Sequence, residues 1–213
     1  MAYVLGFWFA DGYMRKERSY RILFSGKDKE ILLQIRRALN SNHPIRLIPS
    51  DNCYFISFCS KKLYEDLTML GGLRRKSKTI EFPNIPKKFM ADFIRGYFDG
   101  DGSVFFVNYI RTKDKKLTKE LRTNFTSGSR HFLERLMIIL YENLELTIKK
   151  LGSFNEGSSL KLGYGMKDSD TLLRYMYYDK FPIGLKRKAA YVAKIPLYQK
   201  HSYINKNAQL NYK

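Results

Sequence analysis

The chain has 213 residues, 44% of them hydrophobic and 15% aromatic, which is enough to bury a core without disulfide or metal staples. Its 39 Lys and Arg exceed its 20 Asp and Glu, and the net charge of +19 favours a polyanionic partner, with nucleic acid preferred over a membrane surface. The sequence has neither an apolar run long enough to cross a membrane nor a basic secretory leader, so we expect an intracellular protein.

Cysteine and histidine are sparse. Cys53 and Cys59 lack the spacing of a metal or redox motif, and their place in a predicted strand favours reduced side chains in or near the core. His43, His131 and His201 are isolated from one another, which gives no support for a zinc site or a histidine-based nuclease motif.

A short apolar segment occurs twice. The copies are VLGFWFADG, from Val4 to Gly12, and IRGYFDGDG, from Ile94 to Gly102. A lone Asp-Gly is an ordinary turn at the end of a helix, whereas the matched pair indicates a duplicated fold that places Asp11 and Asp101 equivalently.

Each copy is predicted to be a helix with two small residues on one face. Gly6 and Ala10 in the first copy, and Gly96 and Gly100 in the second, are spaced to permit close backbone contact between the two helices. Each helix is predicted to end at the glycine after its Asp, in a left-handed C-cap. The two carboxylates would then meet at helix C-termini that are already partly negative, and an all-oxygen site of this kind favours Mg²⁺.

The similarity between the halves continues along the chain. At an offset of 101 positions, alternating strand positions match, as do the apolar positions of the helix that follows. The strand YFISF matches LKLGY at 106, and GLRRK matches GLKRK at 112, so we expect loop insertions in the second half, the largest at 108–119. Pro83 and Pro86 mark the junction, giving an N-terminal half at 1–84, a linker at 85–90 and a C-terminal half at 91–213 with a polar tail.

The two segments resemble the paired signature helices of LAGLIDADG homing endonucleases in their single-chain, two-motif form. The resemblance covers nearly the whole chain. Phe9 stands where the motif has its first acid, which in the family is mainly structural, whereas the second acid binds metal. The motif positions that fit are Gly6, Ala10, Asp11 and Gly12 in the first copy, and Gly96, Asp99, Gly100, Asp101 and Gly102 in the second.

The resemblance implies an α+β fold of two αββαββα repeats, which form a pseudo-dimeric saddle of antiparallel sheets with the signature helices at the interface. The saddle would lie along double-stranded DNA, and both strands of a long asymmetric site would be cut across the minor groove, leaving 3′ overhangs. Asp11 and Asp101, with the carbonyls of Ala10 and Gly100, would hold two or three Mg²⁺ ions shared between the halves. The protein would act as a monomer beside its target genome, in a bacterial or archaeal cytoplasm or an organelle.

A lysine in each half is expected near the scissile phosphate. The matching basic segments favour Lys76 and Lys188, with Lys78 and Lys186 as competitors. Each of these could instead contact other phosphates or solvent.

Strand alternation places Arg21 and Arg122 at equivalent outward positions, from which Arg can bond guanine and a neighbouring Asn adenine. Basic residues in the predicted loops would contact phosphates, and a merely solvated face is the alternative for each. The full set of predicted DNA contacts is Arg15, Lys16, Arg18, Arg21, Arg46, Arg111, Lys113, Lys115, Lys116, Arg122, Asn124, Lys149 and Lys161.

Two other functions fit a basic chain. One is a catalytically silent binder on the same duplicated fold, either a maturase that binds intron RNA or a DNA-binding regulator. The other is a structural RNA-binding protein, which would need no twofold matching. Retention of both Asp11 and Asp101 favours the endonuclease.

Overall fold

The computed structural model describes residues 1–72, 78–154 and 156–195. The first half comprises α1 (Ala2–Asp11), β1 (Gly12–Lys16), β2 (Tyr20–Gly26), α2 (Lys29–Ala38), β3 (Arg46–Ile48), β4 (Cys53–Cys59) and α3 (Lys61–Met69). The second half comprises α4 (Met90–Asp101), β5 (Gly102–Ile110), β6 (Leu117–Ser127), α5 (Arg130–Leu144), β7 (Gly152–Phe154), β8 (Ser159–Tyr164), α6 (Met166–Met176) and α7 (Lys186–Lys194).

The two halves contain sheets of the same topology. Each sheet has four antiparallel strands, ordered β1-β2-β4-β3 in the first and β5-β6-β8-β7 in the second. Gly12 pairs with Phe24, and Gly102 pairs with Phe125, so Phe24 and Phe125 are equivalent at the predicted offset of 101. The duplicated α+β fold predicted from the sequence is confirmed.

The register of the next strand pair also repeats. Phe24 lies opposite Ile56, and Phe125 lies opposite Leu162, which confirms the offset of 106. All four side chains are buried, because alternation turns every second residue of these strands toward the helices. The other face of each sheet carries the remaining half of the strand residues.

Helices cover the inner faces of both sheets. α2 and α3 contact the first sheet, α5 and α6 contact the second, and α1 packs against α4 between the halves. The serine N-caps Ser60 and Ser129 accept hydrogen bonds from the first turns of α3 and α5. Within the described ranges, none of the helices is long and apolar enough to span a membrane.

Three expectations from the sequence are corrected. The insertion expected at 108–119 is present, but it lengthens the hairpin as well as its loop, because β5 and β6 continue until Ile110 pairs with Leu117. Cys59 is exposed and Cys53 half-buried, since both lie on the outer face of β4, and both are free thiols. The segment after α6 forms an additional helix, α7, whereas its predicted counterpart GLRRK falls mostly outside the described residues.

The buried side chain of Arg95 links α4 to the segment between α6 and α7. Arg95 is fully buried and donates to the carbonyls of Met176 and Ile183 at 2.8 and 2.7 Å. Its guanidinium also bonds the Asp92 carboxylate at 2.6 Å. Because every polar contact of a buried charge must be satisfied, Arg95 fixes the path of residues 176–183.

Candidate active site and nucleic-acid interface

Helices α1 and α4 approach each other through glycine. A Cβ atom on Gly6 would overlap the carbonyl oxygen of Phe93, and a Cβ on Gly96 would overlap that of Tyr3. A methyl group at Gly100 would likewise overlap the Ala10 side chain. The predicted contact through the small-residue faces is confirmed, and it brings the C-terminal ends of the two helices together.

Each of these helices runs directly into a strand. Gly12 has φ −93° and ψ 154°, and Gly102 has φ −97° and ψ 161°, so the predicted left-handed caps are wrong. The backbone is extended here because the sheet begins at the glycine itself. Glycine is required for space, since a Cβ at these positions would overlap Trp8 or Phe98 one turn earlier.

A hydroxyl group anchors the backbone of each candidate metal ligand. Ser25 donates to the Asp11 carbonyl at 3.1 Å, and Thr126 donates to the Asp101 carbonyl at 2.7 Å. Ser25 and Thr126 are equivalent at the offset of 101. The sequence signal for these anchors is therefore a hydroxyl residue at the same position of each repeat. Ser25 and Thr126 therefore hold the two aspartates in the same way at the ends of their helices.

The two carboxylates lie at the same end of the helix pair. A Cβ on Gly100 would stand 3.1 Å from Oδ2 of Asp11, so the Asp11 carboxylate lies against the last turn of α4. Burial raises the pKa of the Tyr97 hydroxyl well above its usual value, and the charges of Asp101 and Asp11 raise it further. Asp11 and Asp101 are themselves partly exposed, and therefore accessible to a ligand.

Lys188 lies behind this end of α4. It is 3% exposed, and its ammonium donates to the carbonyls of Phe98, Asp99 and Gly102 at 2.5, 3.0 and 2.6 Å. Burial lowers the pKa of Lys188 to about 8, although the neighbouring carboxylates oppose that shift. Its hydrogen bonds thus cap the C-terminal carbonyls of the helix that carries Asp101.

The other lysines named from the sequence lie elsewhere. Lys78 and Lys186 are exposed, and Lys76 lies outside the described residues. Arg187, which the sequence did not single out, borders two cavities of about 310 and 430 Å³ that flank Gly100. Its guanidinium bonds Asp28 of the first half at 2.9 Å, so it links the halves beside the candidate site.

The motif's first acid is present in one half and replaced in the other. Asp99 is 3% exposed and accepts hydrogen bonds from Tyr3 at 2.7 Å, Tyr177 at 2.5 Å and the Leu185 backbone at 2.8 Å. Burial raises the pKa of the Asp99 carboxyl, which these donors partly offset. With both oxygens engaged, Asp99 is a structural residue here.

The donor set fits a divalent cation shared with a phosphate. Asp11 and Asp101 are neighbouring carboxylates, and the carbonyls of Ala10 and Gly100 belong to the same helix ends. Across residues 1–72, 78–154 and 156–195, no three His, Cys, Asp or Glu side chains cluster as a complete metal site. Mg²⁺ is commonly held by one or two carboxylates plus substrate phosphates and water, so this incomplete set matches that ion.

The outer faces of the sheets carry several of the predicted DNA contacts. Outward positions in the first sheet include Arg15 and Arg21, which face each other across β1 and β2, and Arg46 on β3. Those in the second sheet include Arg122, Asn124 and Lys161. The nearby acids form surface pairs, such as Arg122 with Glu120 at 3.2 Å, and pairs of this kind contribute little to stability.

The remaining predicted contacts have other positions. Arg15 and Lys16 belong to β1 and not to a loop, and the Lys16 ammonium lies over the Tyr20 ring at 5.0 Å. Arg18 lies in the β1–β2 turn, and Lys149 is half-buried before β7. The tip of the β5–β6 hairpin brings together Arg111, Lys113, Lys115 and Lys116, all exposed.

Among solved structures, the chain is similar to the meganuclease I-SmaMI bound to uncleaveable DNA, with a TM-score of 0.63, 15% identity and coverage of 94% of this chain and 91% of that one. It is similar to the LAGLIDADG meganuclease I-AabMI bound to uncleaved DNA, with a TM-score of 0.61, 12% identity and coverage of 93% and 89%. The fold is that of the single-chain LAGLIDADG homing endonucleases. Mesophilic variants of the LAGLIDADG homing endonuclease I-DmoI match at a TM-score of 0.61, 19% identity and coverage of 91% and 96%.

This chain is similar in sequence to two curated proteins, in each case over only a small part of their length. It is 28% identical over 146 residues to a probable translation initiation factor IF-2 of Thermococcus kodakarensis, and 29% identical over 155 residues to that of Methanocaldococcus jannaschii. These matches cover 65% and 69% of this chain but 11% and 12% of those proteins, so the chain spans about a tenth of the length of the curated relatives it matches. No family model matches the sequence.

Proposed function

We propose that the chain is a site-specific endonuclease that cuts both strands of a long asymmetric DNA site across the minor groove, leaving 3′ overhangs. The observation that carries the proposal is the placement of Asp11 and Asp101 at the adjoining ends of α1 and α4, with matched hydroxyl anchors behind them. The structurally similar meganucleases I-SmaMI and I-AabMI are described as bound to DNA, which supports duplex DNA as the partner.

The two aspartates and the carbonyls of Ala10 and Gly100 would hold Mg²⁺, as two or three ions shared between the halves. When bound, the metal supplies an activated water and stabilises the leaving oxygen. A structure of I-SmaMI with uncleaved DNA is described in the presence of calcium ions, which supports a divalent cation. Ser25 and Thr126 would keep the two carboxylates in fixed orientation by holding their backbone carbonyls.

Basic residues around the metal ligands would hold the scissile phosphates. Lys188 would act through the helix end that it caps, because its ammonium is engaged with three carbonyls. Lys76 remains the proposed equivalent in the first half. Lys27 and Arg187, which border the cavity beside Asp11, add positive charge where phosphate oxygens would approach.

The rest of the DNA would lie along the outer faces of both sheets. Arginine and asparagine side chains there would read base edges, and the hairpin tip would contact phosphates. Since a single chain supplies both aspartates, we propose that it acts as a monomer, in the compartment of the genome it targets.

The test is selection and cleavage of DNA. Protein in EDTA is used to retain duplexes from a random-sequence pool, and the retained duplexes are then incubated with Mg²⁺ and sequenced for new ends. We expect staggered ends at one recurring site. Asp11→Asn and Asp101→Asn should each reduce double-strand cleavage by at least a thousandfold while preserving retention, and Asp51→Asn, an exposed control, should cut normally.

Retention without cutting, by wild type and variants alike, would show a DNA-binding regulator instead. Preference for structured RNA over duplex DNA would show a maturase. Normal cleavage by either aspartate variant would remove that side chain from the mechanism.

A further inference from the structure

The β5–β6 hairpin is longer than its equivalent in the first half. Lys16 pairs with Tyr20 at the end of β1–β2, and at the offsets of 90 and 101 this pair corresponds to Phe106 and Leu121. The second hairpin continues for four more pairs, ending where Ile110 meets Leu117. At about 3.4 Å per residue the extension reaches roughly 14 Å, the rise of about four base pairs.

The outer face of this extended hairpin is apolar along β5. Phe105, Val107 and Tyr109 are successive outward residues, and Phe105 and Tyr109 are 36% and 40% exposed. Phe105 stands opposite Arg122, at the position equivalent to Arg15, which stands opposite Arg21 in the first sheet. One half therefore presents two arginines where the other presents an aromatic ring and an arginine.

The charge around this face favours a polyanionic partner. The hairpin tip carries four cations, Arg111, Lys113, Lys115 and Lys116, against the single acid Asp114 within residues 111–116, and the chain as a whole is at +19. Glu120, which stands opposite Val107, is paired with Arg122 at 3.2 Å, so the face combines a net basic rim with two exposed rings and the half-buried Val107. Such a face is complementary to a polyanion that also offers apolar groups. Duplex DNA offers such a group in its major groove, namely the 5-methyl of thymine.

We propose that Phe105, Val107 and Tyr109 read thymine methyl groups in the outer part of the half-site that lies under the C-terminal half. The inference rests on the proposed function, and it gives the target a composition: thymine under the long hairpin, and guanine under Arg15 and Arg21 of the first sheet. Phe105 and Tyr109 lie four and eight residues beyond Asp101. The thymines are accordingly expected about four to eight base pairs from the cleavage centre.

The experiment uses the full chain with Asp101→Asn, in EDTA, on duplexes retained from the random pool. Each thymine of the selected site is replaced in turn by deoxyuridine, which removes the methyl group and leaves base pairing intact. We expect about a fourfold loss of affinity for each methyl that contacts the hairpin. Deoxyuridine under the first sheet should have no comparable effect.

Protein variants show whether the hairpin is responsible. Phe105→Ser combined with Tyr109→Ser removes both rings without supplying another methyl group, and should abolish the preference for thymine over deoxyuridine except at a base pair that Val107 contacts. Tyr141→Ser, at an exposed position on α5, is the control and should retain the full preference. Thermal melting verifies that both variants are folded.

Equal affinity of the parent protein for thymine and deoxyuridine at every position would overturn the inference while leaving duplex binding intact. Failure to bind duplex DNA at all would overturn the proposed function as well. Concentration-dependent dimers that disappear in the double variant would show that a second copy covers the face, and would also overturn the inference.

Discussion

At the scale of residues, one position of the repeat shows how the halves have diverged. The buried contact between Asp99 and Tyr3 corresponds, at the offset of 90, to a contact between Phe9 and Phe93. The carboxylate and its hydroxyl donor are both replaced by phenyl groups, whose rings pack edge to face at 5.6 Å. Replacing both partners of a buried polar pair together leaves no unsatisfied group, which explains why the acid is dispensable in the first half.

Lys188 gives the molecule a pH dependence that can be measured. Its pKa in the folded chain is lowered to about 8, mainly by burial, whereas an unfolded chain keeps this proton to about 10.4. Between those values the unfolded state binds more protons, so stability from this group rises with pH. Relative to Lys188→Met, the wild type should gain about 2 kcal/mol of unfolding free energy between pH 7 and pH 9.5.

Urea unfolding of both proteins at the two pH values measures this gain. Lys186→Met, a change at the exposed neighbour, should show no such difference from wild type. An unfolding free-energy difference that is constant with pH would mean that Lys188 keeps its ordinary pKa in the folded state.

At the scale of elements, the α1–α4 contact should be intolerant of a single methyl group. Alanine is the better helix former, yet Gly6→Ala or Gly96→Ala would push a Cβ into a backbone carbonyl of the facing helix. We expect each change to lower the unfolding free energy by about 1–3 kcal/mol or more, measured by urea unfolding. Gly26→Ala is the control, because its Cβ would meet the Phe7 ring at an ordinary 3.5 Å. Equal stability of all three variants would contradict the close packing.

The elements themselves were largely predictable from the sequence. Strand alternation and helix periodicity gave the offsets of 101 and 106, and the pairings Gly12–Phe24 and Gly102–Phe125 reproduce the first of them. Such patterns are local and survive duplication, because each half must bury the same face. The closeness of Asp11 and Asp101 followed from the small residues on the two helix faces.

Other features could not be predicted from the sequence, because contacts between distant parts of the chain determine them. The cap at Gly12 is extended, since the sheet starts at that residue, and the hairpin at 108–119 resembled a loop because its tip is charged. Lys188 caps α4 by bonding carbonyls about 90 positions earlier in the chain, and no sequence pattern predicts such contacts. Arg187 was missed for the same reason, because Asp28, to which it is paired, belongs to the other half.

At the scale of the whole molecule, a symmetric centre is flanked by unequal halves. The aspartates and their hydroxyl anchors repeat closely, whereas the long hairpin, α7 and the Arg95 contacts belong to the second half of the described chain. Under the proposed function, a duplex bound across such a protein would be cut by matched groups but read by different ones. The asymmetry of the proposed target thus follows from the elements around the centre.

The net charge of +19 predicts that the affinity for DNA depends strongly on salt, and the positions of the lysines predict which of them contribute to that dependence. If about six of its cations neutralise phosphates, affinity for a random duplex should fall about a thousandfold between 50 and 200 mM salt, with a logarithmic slope near −5, measured by fluorescence anisotropy in EDTA. Lys113→Gln with Lys115→Gln, at the hairpin tip, should reduce the slope by nearly two. Lys62→Gln with Lys167→Gln, on α3 and α6, should leave it unchanged, because those helices pack on the inner faces of the sheets. The reverse pattern would place the DNA on the helical side of the molecule and would contradict binding along the sheets.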